Sequence, residues 1–62
     1  KRKMHEKEVR KKIIKTARQL FLEQGFHQTT IRQITQKSKI STGTLYHFYQ
    51  DKEDIFFHIA DE

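Results

Sequence analysis

The sequence predicts an all-α domain of three short helices and the start of a fourth, the second and third joined by a tight turn. Apolar residues recur at three- and four-residue intervals over residues 9–21, the signature of one helix face. Helix-start residues stand at Thr30, Ser41 and Asp51, so the chain divides into several short segments. Proline is absent and glycine occurs twice, which suits compact helices better than linkers or β-structure.

The first helix begins at Glu6 or Glu8, after a basic arm, KRKMH. Val9, Ile13, Ala17 and Leu20, with Ile14 and Phe21 alongside, make its apolar stripe; Lys11, Lys12, Lys15, Arg18 and Gln19 occupy the other side. It ends near Gln24, because Gly25 suits the left-handed position after a helix and lets Phe26 fold back onto Phe21. A coiled coil would also show such a stripe, but one helix of this length cannot sustain it. Thr30-Ile31-Arg32-Gln33 reads as a capping box that opens the second helix. Ile31 and Ile34, with Thr35 or Ser38, face inward, and the helix stops around Ser38. Lys39-Ile40-Ser41 is the turn, with Ile40 aimed at the core. Ser41 caps the third helix, Ile40 and Leu45 staple its entry, and Leu45 and Tyr49 share its inward face. Asp51 caps the fourth, with Glu53 and Asp54 in the first turn where the helix dipole favours acids. Ile55, Phe56, Ile59 and Ala60 give it an apolar stripe. The expected core is Ile13, Ala17, Leu20, Phe21, Phe26, Ile31, Ile34, Ile40, Leu45 and Tyr49.

Helix, tight turn, helix is the unit whose second member enters the major groove of DNA, in the three-helix arrangement that homeodomains also use. The outward face of the third helix carries Thr42 and Tyr46 and, offset by one, Gly43 and His47. It is small at its N-terminal end and rich in hydrogen-bonding groups, as a helix meeting phosphates and base edges must be. Each residue has a plainer reading. Tyr46 is a half-buried core aromatic or a phosphate ligand, and Leu45 and Tyr49 already serve the core. His47 is a solvent-facing ring or a DNA contact. Thr42, Gly43 and Thr44 are ordinary first-turn residues or points of close approach, and glycine there is a poor helix former. Ser41 and Thr30 are caps on either reading, and the helix start at Thr30 also offers N–H groups to a phosphate. Lys52 is a solvated lysine or a phosphate clamp. The candidate DNA-binding set is therefore Thr30, Ser41, Thr42, Gly43, Thr44, Tyr46, His47 and Lys52.

With 62 residues the chain makes one small domain with a modest core. The net charge is +5, and it is unevenly placed: +6 over residues 1–15, +3 over 16–49 and −4 over 50–62. The beginning and middle suit an anionic partner and the last stretch does not. Without cysteine there is no disulfide framework or thiolate metal site, and His5, His27, His47 and His58 lack metal-ligand spacing. No cofactor, metal or catalytic group is expected: serines near histidine lack an orienting acid, and Gly43 is not part of a phosphate-cradling loop. No apolar run reaches membrane-spanning length and no signal peptide is visible, so no membrane partner is expected and the cytoplasm is the expected location.

Taken in order, Ala17-Arg18-Gln19-Leu20-Phe21-Leu22-Glu23-Gln24-Gly25-Phe26, Thr29-Thr30, Ile34-Thr35, Ser41-Thr42-Gly43-Thr44-Leu45-Tyr46, Tyr49 and Lys52-Glu53-Asp54-Ile55 resemble the DNA-binding domain of TetR-family transcriptional repressors. Each piece alone is a weak signal; their joint order and spacing over residues 13–59 is a strong one. Where the family has Ala-Gly at the turn, this chain has Ser38-Lys39. A left-handed Lys39 costs about 1 kcal/mol that glycine would not. Tyr49 stands where the family has Phe, and Phe48 where a polar or phenolic residue is common, which leaves open which of the two touches DNA.

The resemblance implies a ligand-responsive repressor binding a palindromic double-stranded operator. It also implies a homodimer joined through a larger C-terminal helical domain that holds a small-molecule inducer, and it gives Lys52 the clamp role. The expected organisation is a basic arm over 1–8, the helix-turn-helix domain over 9–50 and the start of a linking fourth helix over 51–62. The apolar pattern is still running at Glu62, so the sequence is expected to be the N-terminal part of a longer protein. The alternative is a small helical protein-interaction module with an incidental basic face, resting on Phe56, Phe57 and Ile59. A membrane-surface segment fits poorly, since the basic helix lacks an aromatic-rich opposite face.

Overall fold

A computed structural model describes residues 6–60. Four helices follow one another: α1 (Glu6–Gln24), α2 (Ile31–Ser38), α3 (Thr42–Phe48) and α4 (Lys52–Ala60). Among the described residues there is no strand. The expected arm over residues 1–5 lies outside the described residues, and α1 takes in Glu6 and Glu8.

Each boundary follows from local chemistry. Gly25, at φ +93°, ends α1 and returns its N–H to the Phe21 carbonyl at 2.9 Å, while the Phe26 ring folds onto Phe21 at 5.2 Å. Thr30 and Gln33 form the reciprocal capping box: Thr30 Oγ1 accepts the Gln33 N–H, and Gln33 Oε1 accepts the Thr30 N–H, each at 3.1 Å. Lys39 takes the left-handed conformation at φ 60° and closes α2. Its N–H reaches the Gln36 carbonyl at 3.3 Å and the Ile40 N–H reaches the Thr35 carbonyl at 3.1 Å, the paired bonds of a Schellman ending. Asp51 Oδ1 accepts the Asp54 N–H at 2.9 Å and starts α4.

α1 packs against both α2 and α4, and α3 packs on α2. The core holds Val9, Ile13, Ala17, Leu20, Ile34, Leu45, Tyr49 and Ile55. Four residues expected there, Phe21, Phe26, Ile31 and Ile40, are only half-buried, because four short helices enclose one thin layer and these side chains sit at its rim. Ile55 joins the core from α4 and Val9 from the start of α1. The α4 stripe is narrower than expected: Phe56 and Ala60 are exposed, leaving Ile55 buried and Ile59 half-buried. Thr29, Thr35 and Ser38 are buried polar residues, and each hydroxyl donates to a backbone carbonyl: Thr29 to Gly25, Thr35 to Arg32, Ser38 to Ile34.

Candidate nucleic-acid interface

α3 is fixed from inside and open outside. Ser41 Oγ accepts the Thr44 N–H at 3.0 Å and lies 2.8 Å from the Thr44 hydroxyl, so the first turn is held by its cap. Leu45, with no exposed surface, and Tyr49, at 4%, anchor the inner face. Thr42, Gly43, Tyr46 and His47 are exposed on the outer one, with Thr44 half-buried between the faces. The Phe48 ring meets the His47 ring edge-on at 4.8 Å, which restricts the imidazole. Because Tyr49 is buried and Phe48 half-buried, Phe48 is the one of the pair with surface to offer a partner. A Cβ added at Gly43 would meet only Ser41 Oγ, at 3.9 Å. Packing therefore does not demand glycine there, whereas an approaching backbone would.

The surroundings are cationic. Glu6 and Val9 share a cleft with Ser41, Gly43 and His47, so α1 begins beside the outer face of α3. A second cleft, of about 490 Å³, is lined by Lys7, Arg10, Lys11, Lys15 and Arg18 of α1 and by Tyr49 and His58. None of those five α1 cations forms an ion pair within the described residues, where the one such pair is His58 with Asp54 at 3.6 Å. Uncompensated charge of this kind attracts a polyanion.

Helix-turn-helix geometry, a capped outward helix and a basic flank point to one comparison. The profile described as "Bacterial regulatory proteins, tetR family" matches residues 13–59, most of the chain. This chain belongs to the tetR family.

Its relatives agree. It is 50% identical over 50 residues to the HTH-type transcriptional regulator HbdR of Aromatoleum sp. (strain CIB), covering 81% of this chain and 22% of the relative. To the HTH-type transcriptional repressor Rv1474c of Mycobacterium tuberculosis it is 36% identical over 53 residues, 86% of this chain and 28% of that one. To the HTH-type transcriptional regulator QacR of Staphylococcus aureus it is 36% identical over 50 residues, 81% and 27%. The chain thus spans about a quarter of the length of the curated relatives it matches. No solved structure gives a significant match. As a tetR-family helix-turn-helix domain, the chain is a DNA-binding unit of a transcriptional regulator and not an enzyme.

On this tetR-family frame, Ser41, Thr42, Gly43, Thr44, Tyr46 and His47 come together on or beside the outer face of α3, and Thr30 is exposed at the start of α2. Lys52 stands apart: its ammonium donates to the Phe26 carbonyl at 2.7 Å and lies 4.2 Å from the centre of the Phe26 ring. Sequence reasoning missed Gln24. Its side-chain amide donates to Gln33 Oε1 at 2.7 Å and to Thr29 Oγ1 at 3.3 Å, tying the end of α1 to the α2 cap. No spacing signals such a bond, because it depends on how the α1–α2 corner folds. Among the described residues no helix is long and apolar enough to cross a membrane, and no cluster of acidic or histidine residues has the makings of a metal site.

Proposed function

We propose that this domain reads an operator by placing the outer face of α3 in the major groove, within a homodimeric, inducer-responsive repressor of the bacterial cytoplasm. The exposed face of Thr42, Gly43, Tyr46 and His47, set on a helix buried through Leu45 and Tyr49, is the observation that carries this reading. Thr42 and His47 approach base edges; Tyr46, Ser41, Thr44 and the N-terminus of α2 at Thr30 hold phosphates. The short polar groups suit base edges, and the phenol at 49% exposure reaches outward. Residues 6–50, from the start of α1, form the reading unit, the basic residues 1–5 precede it, and residues 51–62 lead towards the remainder of the regulator, which holds the dimer contact and the inducer. A palindromic operator follows from two-fold symmetry. The exposed Phe56 and Phe57 are the seam with that remainder and not a separate interaction module.

Competitive binding to the operator and to a scrambled duplex, over a salt series, tests this. His47→Ala or Thr42→Ala is expected to cost about 1–3 kcal/mol on the operator alone and to relax one or two base positions per half-site. Equal losses on both duplexes would make His47 a phosphate ligand. Equal wild-type affinity for operator and scrambled DNA would remove the proposal.

A further inference from the structure

We propose that Gln24 is a positioning residue for the DNA-facing start of α2: its amide fixes which way round the Gln33 side chain sits and so keeps the α2 cap closed. The proposal rests on the reading above that Thr30 meets a phosphate. A glutamine in a capping box has two orientations, and only one presents oxygen to the backbone N–H it must satisfy. Here Gln33 Oε1 accepts twice, from the Thr30 N–H at 3.1 Å and from Gln24 Nε2 at 2.7 Å. The second and shorter bond comes from the last residue of α1, nine positions earlier. Turned round, Gln33 would set its own N–H groups against both donors, so Gln24 disfavours the open cap. Gln24 is itself held, since the same amide lies 3.3 Å from both the Gln28 carbonyl and Thr29 Oγ1. Thr29 is fully buried and donates its hydroxyl to the Gly25 carbonyl at 2.8 Å, which makes its oxygen a fixed acceptor. Gln24, Thr30 and Gln33 are all exposed, so these bonds and not packing set the orientation. With the cap closed, Thr30 Oγ1 accepts the Gln33 N–H at 3.1 Å and its own proton is left for an outside acceptor such as a phosphate.

The test uses the full-length regulator and reads two quantities: hydrogen exchange at the Thr30 N–H, and affinity for the operator. Gln24→Met removes the donor at similar length. Exchange is expected to quicken about three- to tenfold and operator affinity to fall about two- to fivefold. Gln24→Glu keeps the shape but offers only acceptors, which draw Gln33 round by its nitrogen, so Thr30 exchange is expected to exceed that of Gln24→Met. This variant is read by exchange alone, because an added anion weakens DNA binding by itself, and it decides the matter should Gln24→Met not fold. Gln33→Glu separates positioning from mere support. A carboxylate accepts through either oxygen and has no wrong way round, so in that background Gln24→Met is expected to change neither quantity. Equal losses from Gln24→Met in the two backgrounds would make Gln24 a structural residue and overturn the proposal. Wild-type exchange at Thr30 in both Gln24 variants would overturn it as well. Faster exchange with full operator affinity would show that the closed cap does not serve DNA, which also overturns it. Wild-type protein that binds no duplex would instead sink the DNA-binding reading, and the exchange comparison would still decide whether Gln24 sets Gln33.

Discussion

Gly43 poses the sharpest question at the scale of single residues. A helical glycine costs up to about 1 kcal/mol relative to alanine, and here a Cβ would find only ordinary contact at 3.9 Å. Gly43→Ala is therefore expected to raise the melting temperature while lowering operator affinity, read by thermal unfolding and by binding on the same preparation. A variant both more stable and fully active would show that the backbone at Gly43 does not meet DNA closely. The two left-handed positions behave oppositely. At Gly25, φ +93° penalises any side chain although nothing lies within 4 Å, so Gly25→Ala is expected to destabilise by about 1 kcal/mol through backbone strain alone. Lys39 already bears that strain at φ 60°. Lys39→Gly is expected to stabilise by up to about 1 kcal/mol, a rise of roughly 4–8 °C in a domain of this size.

The helices themselves were legible where their ends are written locally. Thr30 with Gln33, Ser41 with Thr44 and Asp51 with Asp54 are contacts three residues apart, so sequence alone finds them. The Gly25 ending was legible for the same reason, whereas a left-handed Lys39 was suggested only by the resemblance, since lysine carries no helix-stop signal of its own. What the sequence concealed depends on how helices meet: the half-burial of Phe21, Phe26, Ile31 and Ile40, the inward turn of Thr29, and the reach of Lys52 to Phe26. Periodicity assigns a side chain to a face, but how deeply that face is covered depends on its neighbours. Within the site, the exposure of Thr42, Gly43, Tyr46 and His47 followed from helical spacing once Leu45 was placed inside. The α2 cap gives the element-scale expectation. Thr30→Ala removes the acceptor for the Gln33 N–H and is expected to cost about 1 kcal/mol of stability, measured by denaturant unfolding. Thr30→Ser keeps that acceptor and is expected to restore it; a harmless Thr30→Ala would mean the Gln24–Gln33 bond holds α2 unaided.

Over the whole molecule, charge and apolar surface point to different behaviours. The five α1 cations that form no ion pair among the described residues predict DNA affinity that falls steeply with salt, log K against log [salt] declining by about 0.9 for each phosphate neutralised. The large exposed apolar side chains, Leu22, Tyr46, Phe56 and Phe57, make a small surface beside the 800 Å² or so per partner of a standard interface. These 62 residues are thus expected to sediment as a monomer at micromolar concentration, and a tight dimer there would place an interface within the fragment. One more property follows from where the tyrosines sit. The chain has two tyrosines and no tryptophan; Tyr46 is half open to solvent, while Tyr49 is buried to all but 4%. Ultraviolet emission from this domain is accordingly a sum of two populations, one that iodide extinguishes and one that it does not. Duplex DNA bound across α3 would shield the first and leave the second untouched, so the fragment carries its own optical reporter of occupancy. Loss of the iodide-sensitive fraction on adding operator, abolished in Tyr46→Phe, is the expected signal.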